Sequence, residues 1–194
     1  MTSKSKIKNS KTKIKKSKTK NSKNKKTRKY KMKNIYGKTL QPCQLNSNDN
    51  NGSWDPQGYC SELGGGVHQI CFKVDNSTKN FSKDTYQSNW SNNRIDKNHC
   101  MCLGAWSLYK ARQNKNQIPT TNNELKCDAI PEIALSSNYI SKWNTWNGHE
   151  LPNQIVNGIN SLLAECSNKS DKEGRKYLMN KVNKLKKLHP EIFT

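Results

Sequence analysis

Apolar residues are nearly missing from the first thirty-three positions, where Lys alternates with Ser, Thr and Asn and only Met1, Ile7, Ile14, Tyr30 and Met32 could bury much surface. Burial cannot offset the conformational entropy of such a segment, which is expected to be disordered. Regular alternation begins at 67–74. There Val67, Gln69, Cys71 and Lys73 fall on one face and His68, Ile70, Phe72 and Val74 on the other, predicting a strand with the second face buried. Residues 44–58 are rich in Asn, Asp, Ser and Gly, and Gly64-Gly65-Gly66 follows, so the first half reads as loops and short strands.

In the second half the period lengthens. Residues 104–114, immediately after Cys102, place Trp106, Tyr109 and Ala105 on one side of a short helix. Residues 151–166 carry Pro152 in the first turn and apolar side chains at 151, 155, 159, 162, 163 and 166, the spacing of an amphipathic helix. A last helix opens with the capping box Ser170-Asp171-Lys172-Glu173 and carries Leu178, Val182, Leu185 and Leu188 before Pro190. Its stripe suits either packing or dimerisation. The expected fold class is α+β: a small domain of short strands and loops containing Cys and Trp, then helices, behind a disordered basic N-terminal tail. The expected divisions are the tail at 1–33, the domain at 34–168 and a basic C-terminal helix at 169–194.

No run approaches the roughly 20 apolar residues that a bilayer crossing needs, and the N-terminus lacks the apolar centre of a secretory signal. Neither membrane association nor export by that route is expected. Charge changes the picture more. The chain carries 35 Lys and Arg against 14 Asp and Glu, a net charge of +21. Residues 1–33 hold 16 of the basic residues and no acid, 169–188 hold 8 basic and 2 acidic, and 34–168 is balanced at 11 of each. An anionic partner is therefore expected at the two ends. Lys outnumbers Arg 31 to 4 and there are 27 Asn, so part of the Lys content reflects an AT-rich coding bias.

Lys13, Lys15, Lys16, Lys18, Lys20, Lys25, Lys26, Arg28 and Lys29 are the candidate nucleic-acid contacts. Tyr30 is the single aromatic for stacking and Arg28 the single bidentate base reader, so binding through phosphates without sequence preference is expected. Another polyanion, or an acidic surface on viral structural proteins, would suit the same arm. Lys25-Lys26-Thr27-Arg28 also fits a short nuclear-import pattern.

Seven cysteines lie at 43, 60, 71, 100, 102, 127 and 166. An odd number without an export signal argues against a secreted disulfide framework. Packing, a zinc site, or a disulfide or redox pair remain, with Cys60, His68, Cys71, Cys100 and Cys102 as the metal or redox candidates and His99 beside them. Their spacing departs from C-x-x-C pairs, because Cys100-Met101-Cys102 is C-x-C and the interval from 60 to 71 is wide. Any of His68, His99, His149 and His189 could act as a base. However, no Gly-x-Ser-x-Gly, His-Glu-x-x-His or Gly-x-x-x-x-Gly-Lys is present, and no catalytic residue is assigned. Trp143 and Trp146 suit core or partner contact, and His149-Glu150 a surface turn. Five Asn-x-Ser/Thr sequons, at Asn51, Asn76, Asn80, Asn89 and Asn168, are what an Asn- and Ser-rich chain produces by chance.

Four linked motifs carry a resemblance. They are Asn34-x-x-Gly37-x-x-Leu40-x-x-Cys43, Gly58-x-Cys60, Gly66-x-His68-x-x-Cys71, and Cys100-x-Cys102 followed by Trp106. Over residues 34–112 the chain resembles the uncharacterised family called domain of unknown function 2237 (DUF2237), with His99 where that family has Trp. Residues 129–135 resemble its late Pro-x-Val-x-Leu stretch. The resemblance implies a small α+β domain and supplies no activity. With its Lys- and Asn-rich arms, the chain is similar to forms carried by giant viruses, large DNA viruses with AT-rich genomes (mimivirus-like). The leading expectation is a non-enzymatic protein that associates with nucleic acid, packaged in the virion and present in the host cytoplasm or nucleus. The alternatives are an enzyme or redox protein using the cysteine–histidine set, and a capsid or scaffold protein.

Overall fold

The computed structural model describes residues 32–45, 49, 52–61, 68–122 and 124–193. The expected tail contacts from Lys13 to Lys29, together with Gly64-Gly65-Gly66 and Val67, lie outside them. The fold is α+β. Strand β1 (Ile70–Lys73) pairs antiparallel with β2 (Asn98–Met101), setting Ile70 opposite Met101, Cys71 opposite Cys100 and Phe72 opposite His99. Between them come a helical turn, α1 (Phe81–Asp84), and a 3-10 turn at Ser91–Arg94. After β2 the chain is helical: α2 (Leu103–Asn114), α3 (Ser137–Lys142), α4 (Gln154–Asn168), α5 (Lys172–Leu188) and α6 (Pro190–Phe193), with 3-10 turns at Cys127–Ala129 and Glu132–Leu135.

Because side chains alternate along a strand, Phe72 faces the core with Phe81, Trp106 and Tyr109, ring centroids 4.8 to 6.5 Å apart. The expected strand is shorter than 67–74, and its Cys71 face is covered as well: Gln69 and Cys71 are as buried as Ile70 and Phe72. A disulfide to Cys43 closes that second face.

α2 is buried on nearly every side from Leu103 to Ala111, more than the one-sided pattern of Trp106 and Tyr109 implied. It lies between the sheet and α4. Gly158 of α4 permits the close crossing, since a Cβ there would stand 2.8 Å from the Ser107 Cα, and the Trp106 indole donates to the Gly158 carbonyl at 2.9 Å. α4 buries Ile155, Ile159, Leu162 and Cys166 as its spacing predicted. It begins at Gln154 rather than 151, because Asn153 is left-handed (φ 58°), which leaves Pro152 in the preceding turn instead of the first helical turn.

α5 packs Gly174, Leu178, Val182 and Leu185 inward, which resolves the choice between packing and dimerisation in favour of packing for these positions, while Leu188, at the end of the expected stripe, is 54% exposed. Its cap differs from the expected box. The Asp171 carboxylate accepts from the Gly174 amide at 2.9 Å, while the Ser170 hydroxyl donates to the Ser167 carbonyl. The Tyr36 hydroxyl donates to the Cys166 carbonyl at 2.7 Å, joining the N-terminal turn to the end of α4. That turn is organised by Asn34, whose Oδ1 accepts from the Tyr36 and Lys38 amides and whose Nδ2 donates to the Asp128 carbonyl. Gly37 (φ 73°) completes it under the Tyr177 ring, where a side chain would collide.

Three disulfides overturn the expectation of no framework: Cys43–Cys71, Cys60–Cys100 and Cys127–Cys166, leaving Cys102 as a buried thiol. Cysteine parity in the sequence carried no information about contact. The register of β1 and β2 sets Cys71 beside Cys100, and each bonds outward instead, to Cys43 and to Cys60. Among the described residues no helix is long and apolar enough to cross a membrane.

Candidate functional site

The β1–β2 pair separates two chemically different layers. On one face Cys71 and Cys100 stand opposite each other and bond outward to Cys43 and Cys60, with Cα–Cα separations of 5.7 and 5.4 Å. The Cys43 amide donates to the Gly58 carbonyl at 2.7 Å, so the segments bearing Cys43 and Cys60 approach the sheet together. The Sγ atoms of Cys43, Cys60 and Cys71 all lie within 4.8 Å of one another, and all four cysteines are fully buried.

A cavity of about 250 Å³ opens on the other side, lined in part by His68, Trp90, His99, Met101, Cys102 and Trp146. The His99 ring stacks on Trp90 at 3.8 Å. Burial, assisted by the Arg94 charge, pulls the His99 pKa down to about 3. Burial also lowers that of His68, against a hydrogen bond with the Cys100 backbone that raises it. Both imidazoles are therefore neutral at pH 7, and the Nδ1 atom of each is buried without a hydrogen-bond partner. Arg94 is held bidentate by Asp49, both contacts at 3.0 Å, and donates to the Asn98 carbonyl, fixing the start of β2. Cys102 caps α2 by accepting from the Ala105 amide, and burial pushes its thiol up to about 12. A thiol so rarely ionised is a poor nucleophile. The cavity can accept hydrogen bonds in an aromatic setting, and the one thiol lining it is held un-ionised by burial.

The metal or redox set expected from sequence is thus divided. Cys60, Cys71 and Cys100 lie in the sulfur layer, while His68 and Cys102 line the cavity beyond the sheet. Cys43, Trp90 and Trp146 were missed as partners. The one signal for Cys43 was its position closing the Leu-x-x-Cys segment. His149 stacks on Tyr86 at 3.5 Å in the expected surface turn, and Trp143 packs beside Trp146 at 5.6 Å. His189 Nε2 lies 2.5 Å from Ser137 Oγ and its Nδ1 3.3 Å from Glu191, a chain that ties α3 to the C-terminal turn and ends in a carboxylate 65% exposed.

The basic C-terminal segment is placed as a surface. With its apolar stripe inward, α5 leaves Lys172, Arg175, Lys176, Lys184, Lys186 and Lys187 exposed. Comparison with protein-family models, with curated proteins and with solved structures found no match.

Proposed function

We propose that the protein associates with nucleic acid by electrostatic contacts without sequence preference, as a packaged, non-enzymatic component of a large DNA virus particle. The observation that carries this reading is the placement of charge: residues 1–33 hold 16 Lys and Arg and no acidic residue, beside a stretch, 34–168, that is balanced. The outer face of α5 supports it as a second basic surface. Lys172, Lys176 and Lys187 follow one line on that helix with Asn180 and Asn183 between them, a rise of about 22 Å. Each Lys that meets a phosphate releases condensed counterions, so affinity follows salt rather than base sequence. Three disulfides support a working place outside a reducing cytosol, which a packaged particle supplies, with viral structural proteins as neighbours. Zinc could be held by these cysteines only in their reduced state.

The test is a salt titration of binding to a short labelled duplex. Replacing Lys15, Lys16, Lys25, Lys26, Arg28 and Lys29 by Gln should weaken binding and flatten the log–log salt slope by about 5 if each side chain meets one phosphate. An unchanged slope overturns the reading. So does an acidic polypeptide that duplex DNA cannot displace from the protein, because the partner would then be protein.

A further inference from the structure

Among the described residues, Cys43, Cys60 and Cys71 bring their sulfurs within 4.8 Å of one another, and Cys60 is bonded to Cys100, directly across the sheet from Cys71. A tetrahedral zinc site with Zn–S bonds of about 2.3 Å needs sulfurs about 3.8 Å apart. Three of the sulfurs already lie close to that spacing, and Cys100, bonded to Cys60, would complete the set after a small shift. We propose that Cys43, Cys60, Cys71 and Cys100, when reduced, form one four-thiolate zinc site, so that two disulfides and one metal ion are alternative closures of the same loops. This inference is independent of the nucleic-acid reading.

Two observations, with the chemistry of thiolate ligands, point to a metal rather than to four idle thiols. All four side chains are fully buried, so reduction without metal would leave four thiols in a cluster with little else to bond. Soft thiolates in a closed, tetrahedral set select zinc over hard cations. Lys126 supplies a nearby positive charge to set against the doubly negative site. Its ammonium donates to the Pro42 carbonyl at 2.9 Å and its amide to the Cys71 carbonyl at 3.0 Å, placing it beside the Cys43–Cys71 link. The ligand set also differs from the one expected from spacing. His68 and Cys102 line the cavity on the other side of the sheet, and Cys43 takes their place.

The chemistry balances with a dithiol as reductant. Two equivalents deliver two electrons and two protons to each disulfide, giving four thiols and two oxidised dithiols. Zn2+ then displaces the four thiol protons to solvent and takes four S–Zn bonds. In reverse, two equivalents of a disulfide oxidant accept four electrons from the thiolates, Cys43–Cys71 and Cys60–Cys100 re-form, four protons from solvent pass to the oxidant's sulfurs, and Zn2+ leaves.

The full chain, reduced with dithiol and freed of it by anaerobic gel filtration, is titrated with Co2+ and then Zn2+, with native mass spectrometry for stoichiometry. One Co2+ per chain with the ligand-field bands of a tetrahedral four-thiolate site, displaced by one Zn2+, is the expected result. Cys102→Ser and the double variant Cys127→Ser/Cys166→Ser should keep that site. Cys43→Ser and Cys71→Ser should lose the four-thiolate spectrum and weaken binding by at least an order of magnitude. All variants are compared reduced, so a missing disulfide does not bias the result. No stoichiometric metal, uptake unchanged in Cys43→Ser, or a reduced chain that unfolds and regains no circular dichroism with Zn2+ would each overturn the proposal.

Discussion

Cys127–Cys166 gives the most direct test of how the helical half is attached to the sheet. It links the 3-10 turn after Leu125, which bridges to Phe72, with the last turn of α4. The double variant Cys127→Ala/Cys166→Ala removes the cross-link without creating a stray thiol. The sequence separation is 39 residues, for which chain-entropy reasoning gives about 13 cal/mol/K, or about 4 kcal/mol at 25 °C. Both sulfurs are buried, and each leaves a void of roughly methyl size costing about 1 kcal/mol. The expected total is about 6 kcal/mol, and at about 2–4 °C per kcal/mol for a chain of this length the melting point falls by about 12–24 °C. The variant should still fold, because the junction has non-covalent ties. Glu165 accepts from the Leu125 amide at 2.7 Å and Lys169 donates to the Leu125 carbonyl at 2.9 Å. Urea unfolding without reductant, followed by circular dichroism, measures the loss. A loss below about 2 kcal/mol would refute a stabilisation of this size by the cross-link.

Gly158→Ala should cost about 1–3 kcal/mol by thermal denaturation despite its better helix propensity, since the new methyl meets the α2 backbone at Ser107; a stabilised variant would mean that the helices do not cross this closely. Glu124→Gln should cost about 3–5 kcal/mol in urea unfolding, because it strands the Lys110 ammonium, which is 3.2 Å from the fully buried Glu124 and itself only 6% exposed, whereas Lys110→Met with Glu124→Leu should recover much of the loss; equal costs would argue against a buried pair. The His99 pKa is about 3 in the folded chain, against 6.5 for an unperturbed imidazole. Below pH 6.5 the unfolded chain therefore takes up a proton that the folded chain refuses, and stability falls by about 1.4 kcal/mol per pH unit toward pH 3, with no effect above 6.5. His99→Phe, which keeps a ring against Trp90, should remove that part of the acid slope. Parallel stability curves for the two proteins across that interval would contradict a buried neutral imidazole.

Local pattern was enough for the helices that bury one stripe. Residues 155, 159, 162 and 166 of α4 and 178, 182 and 185 of α5 face inward as their spacing requires, because a period near 3.6 is a property of the helix itself. The concentration of charge at the chain ends is likewise a fact of sequence. Tertiary structure alone decided where helices begin and what the cysteines do. Asn153 in a left-handed conformation delays α4, and Asp171 rather than Ser170 caps α5, since backbone angles and the nearest oxygen are set by the packed chain. Cys43, Cys60, Cys71 and Cys100 are distant in sequence and meet through a strand register and a shared loop contact at Gly58. His68 and Cys102, near them in sequence, fall on the other side of the sheet. Spacing along a chain reports ligand sets when the ligands share one loop. Here the cysteines come from four segments, and only the antiparallel pairing of β1 with β2 and the loop contact at Gly58 bring them together.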